Sequence, residues 1–185
     1  MNFNKHSNLE GRHAFLSPSK YHWLTYDEQK LCATWISNQA KEKGTRLHAF
    51  AAECIRLGER LPKEKRTLNL YVNDGIGYQM EPEQILYYSD FCFGSADTIS
   101  FRRNLLRIHD LKTGETPASM NQLEIYAALF CLEYGMKPSN IKMELRIYQN
   151  NQVLVHKPEA ERIYDIMQTV IESDKILAKL KESEV

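Results

Sequence analysis

Apolar and polar positions recur with two different periods along this chain, and the switch between them sorts it into helical and extended segments. A helical spacing runs over 27–43, where Leu31, Ala33, Trp35 and Ile36 give a broad apolar face. Gly44 is expected to stop or kink that helix. The next helix, holding His48, should reach about Leu57 before Gly58 and Pro62 break it. Ahead of both, Ser17 before Pro18 reads as a helix N-cap with proline at the first helical position, so a short helix through Tyr26 is expected, with Trp23 in the core. The charged run 63–66 reads as a loop. Leu68–Asn73 alternates imperfectly and is read first as a strand, with a helix as the other choice. Asp74-Gly75 then signals a turn, and Glu81–Gln84 a connector.

From Ile85 the period becomes two. Strands are expected over Ile85–Cys92, Ala96–Phe101 and Leu105–Leu111, the last two joined by a turn at Arg102–Asn104, which sets Asp97 opposite Asp110 in an antiparallel pair. A helix from Met120 to Tyr134, N-capped by Ser119 and ended by Gly135 and Pro138, follows the loop Thr113–Pro117. Ile141–Tyr148 and Gln152–His156 make a hairpin about Asn150-Asn151. Pro158 opens a last helix on which Ile163, Ile166, Met167, Val170, Ile171, Ile176, Leu177 and Leu180 keep a helical period, either to pack on the domain or to bind a partner. The sum is an α/β fold with a small mixed central sheet flanked by helices. One domain over 1–185 is expected, with 1–13 flexible and 158–185 forming the C-terminal helix.

Length and composition agree with that size: 185 residues, 43% of them hydrophobic, suffice for one well-buried core. Lysine plus arginine equal aspartate plus glutamate, 24 against 24, so no overall basic charge advertises nucleic acid. Lys63, Lys65, Arg66, Arg102, Arg103 and Arg107 could still supply a local positive rim, or simply a solvated surface. No apolar run approaches a bilayer span, which predicts no membrane association and a cytoplasmic protein. Cys32, Cys54, Cys92 and Cys131 form no C-x-x-C pair, which argues against a zinc ribbon and for reduced thiols.

The candidate chemistry lies between Phe93 and Tyr126. Asp110 and Lys112, two apart on a strand, share a face, and Asp97 stands thirteen positions earlier. Two carboxylates on neighbouring strands can share a hard divalent cation, and an ammonium beside them can orient water and offset charge on a phosphate. The same residues have plainer readings. Asp97 could satisfy backbone donors in a turn, and Asp110 with Lys112 could be a structural ion pair. A lone histidine such as His48 is usually structural, and Tyr126 would otherwise be helix core.

Four segments in order change the weighing: Gly44-Thr45-Arg46-Leu47-His48, Gly94-Ser95-Ala96-Asp97, Asp110-Leu111-Lys112-Thr113-Gly114, and Gln122-Leu123-Glu124-Ile125-Tyr126. Together they resemble the PD-(D/E)XK nuclease superfamily, and within it the RecB-type exonuclease branch. Leu16-Ser-Pro-Ser-Lys-Tyr-His-Trp23 is also similar to the opening segment of phage and prophage members.

This resemblance implies a restriction-endonuclease-like core and a Mg2+ or Mn2+ ion held by His48, Asp97, Asp110 and the backbone carbonyl of Leu111. Lys112 would be the catalytic lysine. Gln122 and Tyr126, four apart on one helical face, would line the site beside the DNA. Independently of the resemblance, the clustered charges of Arg102, Arg103 and Arg107 are the candidates for binding the DNA backbone. Glu53 is either an acid standing behind the ligands or a surface charge. With only Cys131 after the Gln122/Tyr126 helix, no iron-sulfur cluster is expected.

The implied activity is metal-dependent hydrolysis of DNA phosphodiester bonds, as an exonuclease of phage-type recombination, repair or DNA processing acting in the cytoplasm (the host's, if phage-encoded). A homo-oligomer and a recombination partner protein are further implications of the resemblance. The competing readings are a catalytically silent DNA-binding or assembly protein of the same fold, and an endonuclease or RNA-directed hydrolase using the same residues.

Overall fold

The strand that carries Asp110 explains the rest of the architecture. In Leu105–Leu111, Leu106, Ile108 and Asp110 alternate with Leu105, Arg107, His109 and Leu111, and residues from Leu106 to Leu111 are buried on both sides apart from the half-buried Arg107. A strand buried on both faces needs layers above and below it. The computed structural model, which describes Ser7, residues 14–114 and residues 116–183, supplies them. The flexible stretch expected over 1–13 lies, Ser7 apart, outside the described residues.

The strands are β1 (Glu81–Ser89), β2 (Cys92–Arg102), β3 (Leu105–Leu111), β4 (Lys142–Gln149) and β5 (Gln152–His156), and the helices α1 (Glu28–Leu57), α2 (Thr67–Gly77), α3 (Asn121–Glu133) and α4 (Ala160–Ser183). The protein is therefore α/β, with a five-stranded mixed sheet in the order β1-β2-β3-β4-β5, flanked by helices. Neighbouring strands are antiparallel except β3 and β4, which are parallel and joined by the crossover that contains α3.

Leu106, Ile108, Leu145 and Ile147 pack with Leu123, Ala127 and Leu129 of α3 and Ile163 of α4. Leu111 and Tyr148 pack with Ala51, Cys54 and Ile55 of α1 and Tyr71 and Val72 of α2. Arg103 and Asn104 (φ +50° and +60°) and Asn150 and Asn151 (φ +51° and +59°) turn the two-residue hairpins that fix these registers. The chain divides into two compact units, Met1–Lys43 and Gly44–Val185.

Several local expectations are corrected. Gly44 does not end a helix, because α1 runs from Glu28 to Leu57; a Cβ there would stand 2.8 Å from Thr113 Oγ1, so close packing is the reason for the glycine. Leu68–Asn73 is helical, with Leu68, Tyr71, Val72, Gly75 and Ile76 on one spacing, and Asp74-Gly75 lies inside α2. Gly75 lets Ile55 approach, since its Cβ would lie 2.7 Å from Ile55 Cδ1. Glu81–Gln84 is the start of β1, an edge strand, where Pro82 is tolerated.

Met120, not Ser119, occupies the N-cap of α3. The segment Pro18–Thr25 is a 3-10 helix, and Trp23 is half-buried, its ring N–H donating to the Ser17 carbonyl at 2.9 Å. Trp35 and Ile36 remain 47% and 67% exposed, because a periodic apolar face says what can be buried and not against what. Among the described residues no helix is long and apolar enough to cross a membrane.

Candidate functional site

The register of β2 on β3, Ile99 to Ile108 and Thr98 to His109, carried one residue further sets Asp97 opposite Asp110. The backbone N–H of Leu111 donates to Asp97 Oδ2 at 2.9 Å, which fixes that carboxylate against the end of β3. His48, on α1, brings Nδ1 to 3.3 Å from the same oxygen. Its pKa is raised, chiefly by the hydrogen bond to Asp97 and against the opposing effect of burial.

Asp110 is 3% exposed. Lys112 Nζ lies 3.0 Å from each of its oxygens, donating to Oδ1, while Oδ2 is buried and accepts no directed hydrogen bond. Burial first, and the nearby Asp97 charge second, push the Asp110 carboxyl above the ordinary carboxylate range, against the pull of Lys112. Lys112 also donates to Gln122 Oε1 at 2.9 Å, Gln122 Nε2 lies 3.5 Å from the Tyr126 hydroxyl, and that hydroxyl donates to Ser95 O at 2.7 Å. The bare backbone of Gly94 makes room for the tyrosine, since a Cβ there would sit 3.0 Å from Tyr126 Cε1. Asp110, Lys112, Gln122 and Tyr126 thus form one chain of contacts, and Asp97, paired with His48, is tied to it through the backbone N–H of Leu111.

Other expected residues lie elsewhere. Glu53 is exposed and sits 3.7 Å from Arg56 on its own helix. Arg102 and Arg103 are exposed at the β2–β3 turn. Arg107 is not on an open rim: its Nε lies 3.1 Å from Glu144 and its guanidinium 4.4 Å over the Tyr78 ring, because it points into the α2 side of the sheet.

Two residues that sequence reasoning passed over belong here. The ligand-type atoms of His48, Glu83 and Asp97 lie within 4.8 Å of one another, and Glu83 comes from the segment read as a connector. Gln149 ties down the loop after Lys112, its amide donating to Gly114 O at 2.5 Å and Thr116 O at 2.8 Å while its oxygen accepts from Ala118 N–H at 3.2 Å. A proline tolerated at a sheet edge was a usable signal for Glu83; nothing local marks Gln149.

No family model matches the chain, and no curated protein or solved structure does either. The donor set decides which ion the site could hold. A hard divalent cation fits it. Carboxylate oxygens of Glu83 and Asp97 and one imidazole nitrogen of His48 lie within 4.8 Å of one another, and the Asp110 carboxylate, paired with Lys112 at 3.0 Å, adds to the negative charge felt there.

Proposed function

We propose that the protein is a divalent-metal-dependent deoxyribonuclease, a RecB-type member of the PD-(D/E)XK superfamily with its restriction-endonuclease-like core, acting from DNA ends. One observation carries the reading: His48, Asp97, Asp110, Lys112, Gln122 and Tyr126, drawn from four separate segments, meet at one place.

His48, Asp97, Asp110 and the Leu111 carbonyl would hold the cation. When bound, it supplies a Lewis acid for the phosphoryl oxygen and a lowered pKa for water. The residues of the chain do the positioning. Lys112 is held between Asp110 and Gln122, so its ammonium can orient the attacking water and offset charge on the phosphate. Leu111 N–H and Asp97 keep the strand end and the acid in fixed register. Gln122 and Tyr126 present polar atoms from one helical face toward the scissile region. In the hydrolysis, the water oxygen bonds to phosphorus, the bond from phosphorus to the leaving sugar oxygen breaks, and that oxygen takes up a proton.

The test is degradation of end-labelled linear and closed circular DNA with Mg2+, Mn2+ or EDTA, using wild type, Asp110→Ala and Lys112→Ala. The expected result is metal-dependent shortening of linear DNA by wild type alone, with DNA binding retained in both variants. Cutting of the circle would indicate an endonuclease, and preference for RNA an RNA-directed enzyme. The closed Asp110–Lys112 ion pair also suits a catalytically silent DNA-binding protein, and folded wild type that cuts nothing with either metal would establish that reading instead.

A further inference from the structure

We propose that Glu83, which lies outside the ligand set implied by the family resemblance, is a direct ligand of the cation and makes the centre a mixed nitrogen–oxygen site that takes Mn2+ ahead of Mg2+. The proposal rests on reading the site as a metal centre. Its first support is distance: one carboxylate oxygen of Glu83 belongs with His48 and Asp97 to a set of donor atoms all within 4.8 Å of one another. That is the spread of a coordination shell, in which oxygens 2.0 to 2.6 Å from a common ion stand up to about 5 Å apart.

The backbone gives a second, separate observation. Glu83 has φ +55° within β1, and the pairing of β1 with β2 passes from Pro82–Thr98 to Gln84–Ala96 without it. The other non-glycine residues at positive φ, Gln79, Arg103, Asn104, Asn150 and Asn151, lie in turns or at an element's end. A glutamate held in the left-handed region inside a strand is uncommon and persists where its surroundings over-determine it. The register is the same on either side, Pro82 to Thr98 and Gln84 to Ala96, so Glu83 stands opposite Asp97 on the neighbouring strand. Ser95 Oγ, 3.5 Å from Glu83 Oε2, is at the outer limit of a hydrogen bond and too distant to account for that placement.

Asp110, whose carboxyl is pushed up by burial and by the Asp97 charge, has its own counter-ion in Lys112 at 3.0 Å and is not one of the three donors His48, Glu83 and Asp97. Two carboxylates held as close as those of Glu83 and Asp97 repel unless a cation offsets their charge. Mg2+ favours all-oxygen, strongly hydrated shells, whereas Mn2+ binds imidazole more readily, so the nitrogen in this set sets the order of preference.

The experiment is calorimetric titration of metal-stripped protein with Mn2+ and with Mg2+, together with melting curves with and without each ion, on wild type, Glu83→Gln, Glu83→Gly and Asp97→Asn. Wild type should bind Mn2+ more tightly than Mg2+. Both Glu83 variants should bind Mn2+ at least about tenfold more weakly. Glycine adopts φ +55° without strain, so metal-free Glu83→Gly should melt at or above wild type, which separates a lost ligand from a damaged fold. Wild-type Mn2+ affinity in both Glu83 variants, with affinity lost in Asp97→Asn, overturns the assignment of Glu83 and leaves the nuclease reading standing. No Mn2+ binding by wild type overturns both.

Discussion

Replacing Asp110 by asparagine should stabilise the metal-free protein and destabilise it relative to wild type once metal is present. In wild type the carboxylate is 3% exposed and one oxygen accepts no directed hydrogen bond. Burial disfavours the charged form of this carboxyl, and the nearby Asp97 charge adds to the cost, which is about 1 to 3 kcal/mol for a buried polar group. Against that stands the loss of the Lys112 ion pair, whose ammonium is 30% exposed and can turn to water, so the pair is worth only about 1 kcal/mol or less. Asparagine keeps the shape and removes the charge. The net gain in EDTA should be about 1 to 2 kcal/mol, or roughly 2 to 4 °C in melting temperature per kcal/mol at this chain length.

Bound metal should reverse the order. At a hundred times its Kd an ion that binds only folded protein adds about 2.7 kcal/mol, available to wild type and largely lost in the variant. The assay is urea and thermal denaturation of both proteins in EDTA and in Mn2+. The pH dependence follows from the direction of the Asp110 shift: a carboxyl whose folded pKa is raised adds stability fully below its unfolded pKa and loses it as pH rises through the folded value. The advantage of Asp110→Asn in EDTA should therefore shrink as the pH falls from neutrality toward 4. An asparagine variant less stable than wild type in EDTA, or equal stabilisation of both proteins by Mn2+, would refute the argument.

Three further outcomes test other parts of the structure. Arg146 donates to Glu144, Asp74 and the Tyr78 hydroxyl at 3.0 to 3.2 Å with its side chain 16% exposed, while Glu144 keeps Arg107 and Asp74 keeps the Tyr148 hydroxyl, so Arg146→Ala should cost about 1 to 3 kcal/mol in urea denaturation. In Gly94→Ala the new methyl would meet the Tyr126 ring at 3.0 Å, so DNA cleavage should fall by about tenfold or more while stability changes by about 1 kcal/mol or less; unchanged cleavage would remove Tyr126 from the site. Cys32 is exposed, whereas Cys131 is buried and its thiol pushed up to about 11, so iodoacetamide followed by peptide mass mapping should find Cys32 modified in native protein and Cys131 only after unfolding.

Much of the sheet was legible because its signals are local. Leu105–Leu111 is bounded by the Arg102–Asn104 turn and the Thr113–Pro117 loop, and the expected strand has the observed bounds. Ile141–Tyr148 and Gln152–His156 likewise match β4 and β5 to within a residue. What the sequence hid was supplied from far along the chain. α2 begins without a side-chain cap of its own; the Asn151 carboxamide oxygen accepts from Thr67 N–H at 3.0 Å, and Thr67 Oγ1 in turn accepts from Asn151 N–H at 2.7 Å. Residues 84 apart supply that cap, so no window around Leu68 contains it. Gly44 and Gly75 misled in the same way, since each is a glycine for a contact with Thr113 or Ile55 and not for a turn. For the site, spacing alone left Asp97, Asp110 and Lys112 as candidates, and the resemblance added His48, Gln122 and Tyr126. Glu83 was lost with the misread strand that carries it.

The position of the site follows from the parallel pairing of β3 with β4. Parallel strands leave the sheet side by side, and ligand sites in such sheets gather beyond their carboxyl ends, where the following loops diverge. Here the pairing Leu111–Tyr148 is the last in the ladder, and Lys112 N–H still bonds to Tyr148 O at 2.9 Å, so the lysine leaves the sheet with its backbone pinned. One residue later in β4, Gln149 grips the loop that follows Lys112. Asp110, Leu111 and Lys112 thus offer a carboxylate, a backbone amide bound to Asp97 and an ammonium from three successive positions of one strand end. A single strand alternates its faces, so it cannot bring its own neighbours to one point. β2 on one side and α3 on the other complete the site, through Asp97 and Gln122, so the Asp110–Lys112 pair of one strand end is joined by partners from two other segments of the chain.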